Sequence, residues 1–445
     1  MISGLERRHI ADAASLLRTR SVSATELVRD AIARAENRRD LNAFTLLMRD
    51  QALAEAADAD REIASGRYRG PLHGIPITVK DLVDVRGTQT SAGSKVPAAI
   101  APADAPVVRR LRDAGAIVIG KTNLHEFAFG TTSDETAFGA VHNPVDRTRS
   151  AGGSSGGSAA AVGTGIGFAS VGTDTGGSIR IPAAACGIVG LKPTFGEVPC
   201  SGVIPLSTTL DHVGPLARSV ADASLMFQAM KSASVHGIAP AGGALSFGVP
   251  RQYFFERLDP GVRRCVDLAI ARVIDAGYSV RETTISGAEY TPDVYLHICL
   301  PEASCYHAAS LTEHADRYSP GVRLRLEMGR YILAEDYVRA MRLRAELTAA
   351  VDRALERCDA LLLPTMPIPA PKIGATVVDV DGVETPVRAT MLSRTQLFNI
   401  TGHPAIALPA GKGPEGLPRS IQVVGHRGRT ERLLDIAAAL EEIIH

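Results

Sequence analysis

Apolar positions along this 445-residue chain change their spacing in blocks, and each block predicts a kind of element. The first 66 residues read as helical: Leu27, Val28, Ala31, Ile32 and Ala35 fall on one helical face. Ser23-Ala-Thr-Glu26, just before them, has the form of a capping box, in which a hydroxyl and a carboxylate satisfy two unpaired backbone N–H groups. Gln51–Ser65, alanine-rich with one polar side, predicts a second helix. From Gly74 the pattern shortens. β-rich runs at Ile75–Val79, Ile117–Gly120, Phe168–Gly172 and Ile188–Leu191 alternate with helix-like stretches such as Ala105–Ala114, the rhythm of an α/β protein with strands buried between helix layers. Pro260–Arg357 is largely helical. A last β-like block begins at Ala360-Leu-Leu-Leu-Pro and continues through Pro404-Ala-Ile-Ala-Leu-Pro and Ser420-Ile-Gln-Val-Val-Gly, before a closing helix at Glu431–Ile444. Segments on both flanks are needed to complete the central sheet, so residues 1–445 are expected to form one domain.

Composition narrows the function classes. The chain is 45% apolar and 22% charged, which is ordinary for a globular protein. Its 48 basic and 48 acidic residues balance, so nothing electrostatic points to nucleic acid or an anionic membrane as a partner. No apolar run reaches the roughly 20 residues needed to span a bilayer, and the opening MISGLERRHIADAASLL lacks the apolar core of a signal peptide. A cytoplasmic location is expected. The six cysteines form no CxxC pair and have no histidine at zinc spacing; they are expected to be reduced, with Cys186 and Cys200 serving as packing residues. Lysine is scarce, supplying only seven of the 48 basic residues, so a lysine with a chemical task has few candidates.

Residues 150–180, SAGGSSGGSAAAVGTGIGFASVGTDTGGSIR, set serine beside paired glycines twice, at Gly152–Gly157 and at Asp174–Ser178. Such composition often means a flexible loop. Here the flanking β-like and helix-like runs imply a packed core, in which ten glycines between 152 and 177 are an entropic liability without a purpose. A phosphate-binding loop needs Lys-Ser/Thr after its second glycine, and Ser158-Ala159 stands there instead. Gly152–Gly156 matches GxSxG, but that nucleophile elbow must follow a buried strand. The preceding His142-Asn-Pro-Val-Asp-Arg-Thr-Arg-Ser-Ala is polar and contains proline. Asp211-His212 does not supply an Asp–His pair, because neighbours in an extended chain point to opposite faces.

A neutral lysine is another activator of serine. The Ser-x-x-Lys arrangement is absent at all seven lysines. Lys80 ends the apolar run Gly74-Ile-Pro-Ile-Thr-Val-Lys, which carries its ammonium toward a low-dielectric interior, where burial lowers a lysine pKa by up to about 3–5 units. Pairing with Asp81 or Asp84 is the competing reading.

GIPITVKD at 74–81, GKTNLHEFAFG at 120–130, NP-x7-GGSSGGSAAAV from Asn143 to Val162 and GTDTGGSIRIPAAACGIVGLKPT at 172–194 together resemble the amidase signature family. Leu210-Asp-His-Val-Gly-Pro, Asp359-Ala-Leu-Leu-Leu-Pro-Thr and Phe398-Asn-Ile-Thr-Gly-His-Pro-Ala extend the likeness over most of the chain. The resemblance implies a three-layer α/β/α fold around a large, mostly parallel mixed sheet of about eleven strands. It also implies a Ser–Ser–Lys triad: Ser178 as nucleophile, Ser154 as bridging serine after a cis Gly153–Ser154 bond, and Lys80 as terminal base. The backbone N–H groups of Thr175, Gly176, Gly177 and Ser178 would form the oxyanion hole, with Ser154 and the backbone at Ala128 facing the substrate. Ser155 would support the serines, while Asp174 and Arg180 would brace the nucleophile loop rather than move protons.

The implied activity is hydrolysis of linear C–N bonds through an acyl-enzyme, with no metal or organic cofactor. The expected partners are a small amide, anilide or carbamate substrate and, at most, a second copy of the chain. The alternatives are a carbamate- or urea-derivative hydrolase and the glutaminase subunit of a tRNA-dependent amidotransferase. Two departures count against the glutaminase: His125 in Asn123-Leu-His-Glu-Phe-Ala-Phe where that branch carries an aspartate, and Leu392-Ser-Arg where it carries an acidic residue.

Overall fold

A computed structural model describes Gly4, residues 8–238 and residues 240–444. In chain order its strands are β1 (Phe44–Leu47), β2 (Pro76–Lys80), β3 (Ile117–Thr122), β4 (Ala169–Asp174), β5 (Val189–Lys192), β6 (His212–Ala217), β7 (Ser246–Pro250), β8 (Ser279–Thr283), β9 (Ala360–Pro364), β10 (Val377–Val380), β11 (Val383–Pro386), β12 (Ala405–Lys412) and β13 (Pro418–Val424). Eleven of them form one sheet in the order β1-β3-β2-β4-β6-β5-β12-β13-β9-β7-β8, and β10-β11 is a separate hairpin. Helices flank the sheet, among them Ala24–Asn37, Arg49–Ala64, Gly156–Gly163, Pro260–Asp275 and Thr430–Ile444.

The capping box forms as read: Ser23 Oγ accepts from the Glu26 N–H at 3.1 Å, and Glu26 Oε2 accepts from the Ser23 N–H at 2.9 Å. Asp60, from the second helix, adds a carboxylate at the same N-terminus and accepts from the Ala24 N–H at 2.6 Å. The central strands are buried on both faces. Every residue of β2, β3 and β4 is buried, which is why their sequences are continuous apolar runs rather than alternating ones.

The predominance of parallel pairing is not observed. Four neighbouring pairs are parallel (β2-β3, β2-β4, β7-β8, β7-β9), and six are antiparallel. Strand direction leaves no mark on a doubly buried run, so the apolar pattern alone could not tell the two apart. Strands β1, β6, β7 and β8 of the sheet, and the hairpin β10-β11, also escaped the pattern. β1 lies inside the block read as helical, and β8 inside the helical middle; both sit at sheet edges and are mostly outside the core. β6 is central yet contains Pro215, opposite Val171 of β4, so its sequence lacks a normal strand signal.

Candidate active site

Parallel strands β3, β2 and β4 end side by side, and ligands of open α/β sheets sit at the carboxyl ends of such strands. Lys80 is the last residue of β2, Thr173 and Asp174 end β4 before the Thr175–Ser178 turn, and β3 runs on to the turn Glu126–Ala128. Lys80 is fully buried, and its Nζ donates to Ser154 Oγ at 2.8 Å and to Thr173 Oγ1 at 2.7 Å. Neither neighbouring carboxylate takes it. Asp81 pairs with Lys121 at 2.7 Å, and Asp84 accepts from Thr90 Oγ1 at 2.7 Å. Burial therefore dominates and lowers the Lys80 pKa from 10.5 to about 7, with the charges of Asp174 and Asp211 opposing it only in part.

Ser154 follows a cis peptide bond from Gly153. Its carbonyl accepts from the His125 N–H and from Ser133 Oγ, both at 3.1 Å. The helix Gly156–Gly163 starts beside it and approaches the chain so closely that a Cβ on Gly157 would lie 2.4 Å from the Asn123 carbonyl oxygen. No strand precedes Ser154; the isolated bridge His142–Ser150 stands there, as the sequence argument against a nucleophile elbow requires. The two glycine–serine nests touch through backbone, the Ser155 N–H donating to the Ser178 carbonyl at 3.3 Å. Ser155 Oγ donates to the Thr173 carbonyl at 3.3 Å. Among the described residues no hydrogen bond joins the side chains of Ser154 and Ser178.

In the Thr175–Ser178 turn, Gly177 adopts φ +140°, and a Cβ there would lie 2.3 Å from Thr395 Oγ1. The Gly176 carbonyl accepts from Thr395 Oγ1 at 2.5 Å. Among the described residues the N–H groups of Gly176, Gly177 and Ser178 have no protein acceptor. Thr175 Oγ1 donates to Asp211 Oδ1 at 2.5 Å, and burial raises the Asp211 carboxyl to about 6 despite that bond. His212 turns away and bonds the Leu210 carbonyl, so no Asp211–His212 pair exists.

Asp174 and Arg180 form a buried two-point ion pair, Nη2–Oδ1 at 2.9 Å and Nε–Oδ2 at 3.0 Å. Arg180 also donates to the Thr395 carbonyl, Gln422 and Asn399, which ties the nucleophile turn to β13 and to the helix Gln396–Ile400. Burial disfavours the Asp174 charge, but the Arg180 guanidinium more than offsets this and holds its carboxyl well below the usual range. Ala128 is buried with φ 57°, in a turn adjoining the His125–Ser154 bond. A cavity of about 530 Å³ opens next to these residues, its wall including His125, Thr131, Thr132, Glu135, Arg325 and Arg388. Among the described residues no group of three or more His, Cys, Asp or Glu side chains is placed to hold a metal ion.

The sequence model of the family described as Amidase matches residues 26–434. This chain belongs to the amidase family. It is an amidase, an enzyme that hydrolyses C–N bonds. It is 39% identical to an amidase of Pseudomonas putida over 94% of this chain and 92% of that one. It is 34% identical to a glutamyl-tRNA(Gln) amidotransferase subunit of Lachnospira eligens, over 96% of both chains. Its fold superposes on the crystal structure of an amidase with a TM-score of 0.94 at 40% identity, covering 98% of this chain and 100% of that one.

Against this amidase fold, sequence reasoning missed Thr173 and Tyr295, and it used Leu392 only to tell the branches apart, without placing it at the nucleophile turn. Thr173 shares Lys80 with Ser154, but only the pairing of β2 with β4 sets the two side chains together. Tyr295 and Leu392 come from distant segments, and a Cβ on Gly176 would lie 2.8 Å from Tyr295 Oη and 3.0 Å from Leu392 Cδ2. Cys186 is buried as expected, whereas Cys200 is exposed. Among the described residues no helix is long and apolar enough to cross a membrane.

Proposed function

We propose that this amidase works through Ser178, Ser154 and Lys80 by way of an acyl-enzyme. The observation that carries the reading is the buried Lys80, without a carboxylate partner and 2.8 Å from Ser154 Oγ. Ser178 Oγ forms a bond to the substrate carbonyl carbon; its proton passes to Ser154 while Ser154 gives its own to neutral Lys80. The carbonyl oxygen becomes an oxyanion facing the N–H groups of Thr175, Gly176, Gly177 and Ser178, three of which lack a protein acceptor. Protonated Lys80, again through Ser154, returns its proton to the leaving nitrogen of the substrate, the C–N bond breaks, and the acyl group stays on Ser178. Water then attacks by the same relay and frees the acid and Ser178. Ala128 borders the substrate; Ser155, Asp174 and Arg180 hold the loops. The substrate is a small amide, anilide or carbamate, and the setting is the cytoplasm, consistent with six free cysteines.

A fluorophosphonate should label Ser178, located by peptide mass mapping. A label on Ser154 with Ser178 untouched would overturn the assignment. The amidotransferase reading has the 34% identity in its favour. Buried Leu392 packed against Gly176 weighs against it, because that position then offers a substrate amine no counter-charge. The isolated chain should therefore hydrolyse simple amides without partner chains.

A further inference from the structure

A second cavity, of about 340 Å³, shares no wall residue with the cavity beside His125. The turn Glu126–Ala128 borders both: Phe127 lines the second cavity, while His125 and Gly130, on either side of the turn, line the first. The second wall joins residues of the segment 84–102 to the helix Thr291–His314. Most of it is apolar. Two large side chains on it nevertheless stay in solvent, Ile100 63% and Tyr306 51% exposed, a surface that an apolar occupant would cover. The proposed relay uses none of these residues.

Asp84 is the one charged residue of that wall among the described residues, because burial pushes the His307 imidazole down to about 4 and leaves it neutral. Asp84 Oδ1 accepts from Thr90 Oγ1 at 2.7 Å, whereas its Oδ2 has no hydrogen bond and no ion pair among the described residues. Behind it, Lys121 Nζ donates to Thr90 Oγ1 at 2.9 Å and pairs with Asp81 at 2.7 Å. Two carboxylates therefore face one lysine, and one negative charge is left at the cavity. The hydroxyl protons of Thr90, Ser91 and Ser310 are already spent on Asp84, Asp81 and the His307 carbonyl. A carboxylate or phosphate would meet a like charge there. A metal ion would lack ligands, since no three His, Cys, Asp or Glu side chains come together among the described residues. An ammonium carries donors only, its charge answers Asp84, and an aromatic face such as that of Tyr306 attracts it.

The amidase reaction itself yields such a group. Hydrolysis of an N-alkyl amide frees a primary amine, which holds its proton at neutral pH as a lysine side chain does, with a pKa of about 10.4. We propose that this second cavity binds the protonated primary amine released by the reaction, its ammonium on Asp84 and its apolar body against residues 96–102.

Calorimetry should compare butylammonium and benzylammonium chloride with butanol and benzyl alcohol, similar in shape but uncharged, at constant ionic strength. Wild type should bind at least one ammonium roughly ten- to a hundredfold more tightly than its alcohol, the range of a charge-assisted hydrogen bond. Asp84→Asn removes the charge and keeps an acceptor for Thr90. It should bring that ratio close to one, while kcat/KM for a neutral primary amide stays unchanged. Tyr306→Leu, at an exposed position, should weaken the ammonium by a few fold and leave the alcohol as it was. Thermal melting checks that each variant folds; if Asp84→Asn does not, Tyr306→Leu carries the test. Equal binding of ammonium and alcohol by wild type, or ammonium binding that neither variant weakens, overturns the inference. Inhibition by the amine that competes with the amide and is unchanged in Asp84→Asn puts the amine at the nucleophile turn and overturns it as well.

Discussion

The ionisation of Lys80 predicts an acid limb whose position can be calculated. Burial lowers its pKa to about 7, and only the neutral amine can accept a proton from Ser154. The competent fraction is then about one half at pH 7, about a tenth at pH 6 and about a hundredth at pH 5. Log kcat/KM for a neutral amide should climb with unit slope from acid toward pH 7 and then level. Asp211, raised to about 6 by burial, protonates in the same range. Thr175 then loses its charged acceptor, and the fall should steepen below pH 6. The rate of Ser178 labelling by a fluorophosphonate, which requires an activated nucleophile but no leaving amine, should trace the same limb. Lys80→Ala should remove the limb near pH 7 from both profiles, leave only the Asp211 fall below pH 6, and lower the plateau by about 10²–10⁴-fold. Labelling by wild type that is independent of pH between 5 and 8, or a limb near pH 7 that persists in Lys80→Ala, refutes the assignment of Lys80 as base. Stability carries a matching sign. The unfolded chain holds the lysine proton between about pH 7 and 10.5 where the folded chain does not, so wild type should gain stability relative to Lys80→Met as pH rises through that window.

Lys80→Ala should slow an amide more than an acyl-matched p-nitrophenyl ester, because phenolate leaves without a proton and an amine does not; equal fractional losses would remove the leaving-group role. Arg180→Met should cost about 3–5 kcal/mol in denaturant unfolding, since it strands the buried Asp174 charge, and a loss below about 1 kcal/mol would contradict the buried-pair account. Gly176→Ala should lower kcat at least tenfold with a smaller change in melting temperature, because its methyl would lie 2.8 Å from Tyr295 Oη and push the turn aside; unchanged kcat would mean that the turn does not hold the oxyanion.

The chain's local patterns were largely legible. Ser23–Glu26 announced its cap, the runs ending at Lys80 and Asp174 announced buried strands, and the paired glycines announced turns that no side chain could fill. These features depend on contacts within a few residues or on burial of a whole segment, and both leave a mark on neighbouring positions. Sequence also limited what Lys80 could be: a base or the partner of Asp81 or Asp84. Choosing between them took the tertiary structure, in which Lys121 arrives from β3 to occupy Asp81 and Thr90 occupies Asp84.

The same division holds elsewhere. The apolar runs determined which segments are buried, while strand direction was decided only by assembly, because a residue covered on both faces reads alike in parallel and antiparallel pairs. Thr173 joined Lys80 through the β2–β4 register, and Tyr295 and Leu392 reached the nucleophile turn from segments more than a hundred residues away in sequence. Such meetings depend on how separate elements pack, and no periodicity within one element records them. Residue chemistry and local conformation are written along the chain; partners, desolvation and the pKa values that follow from them exist only once the chain has folded around Lys80.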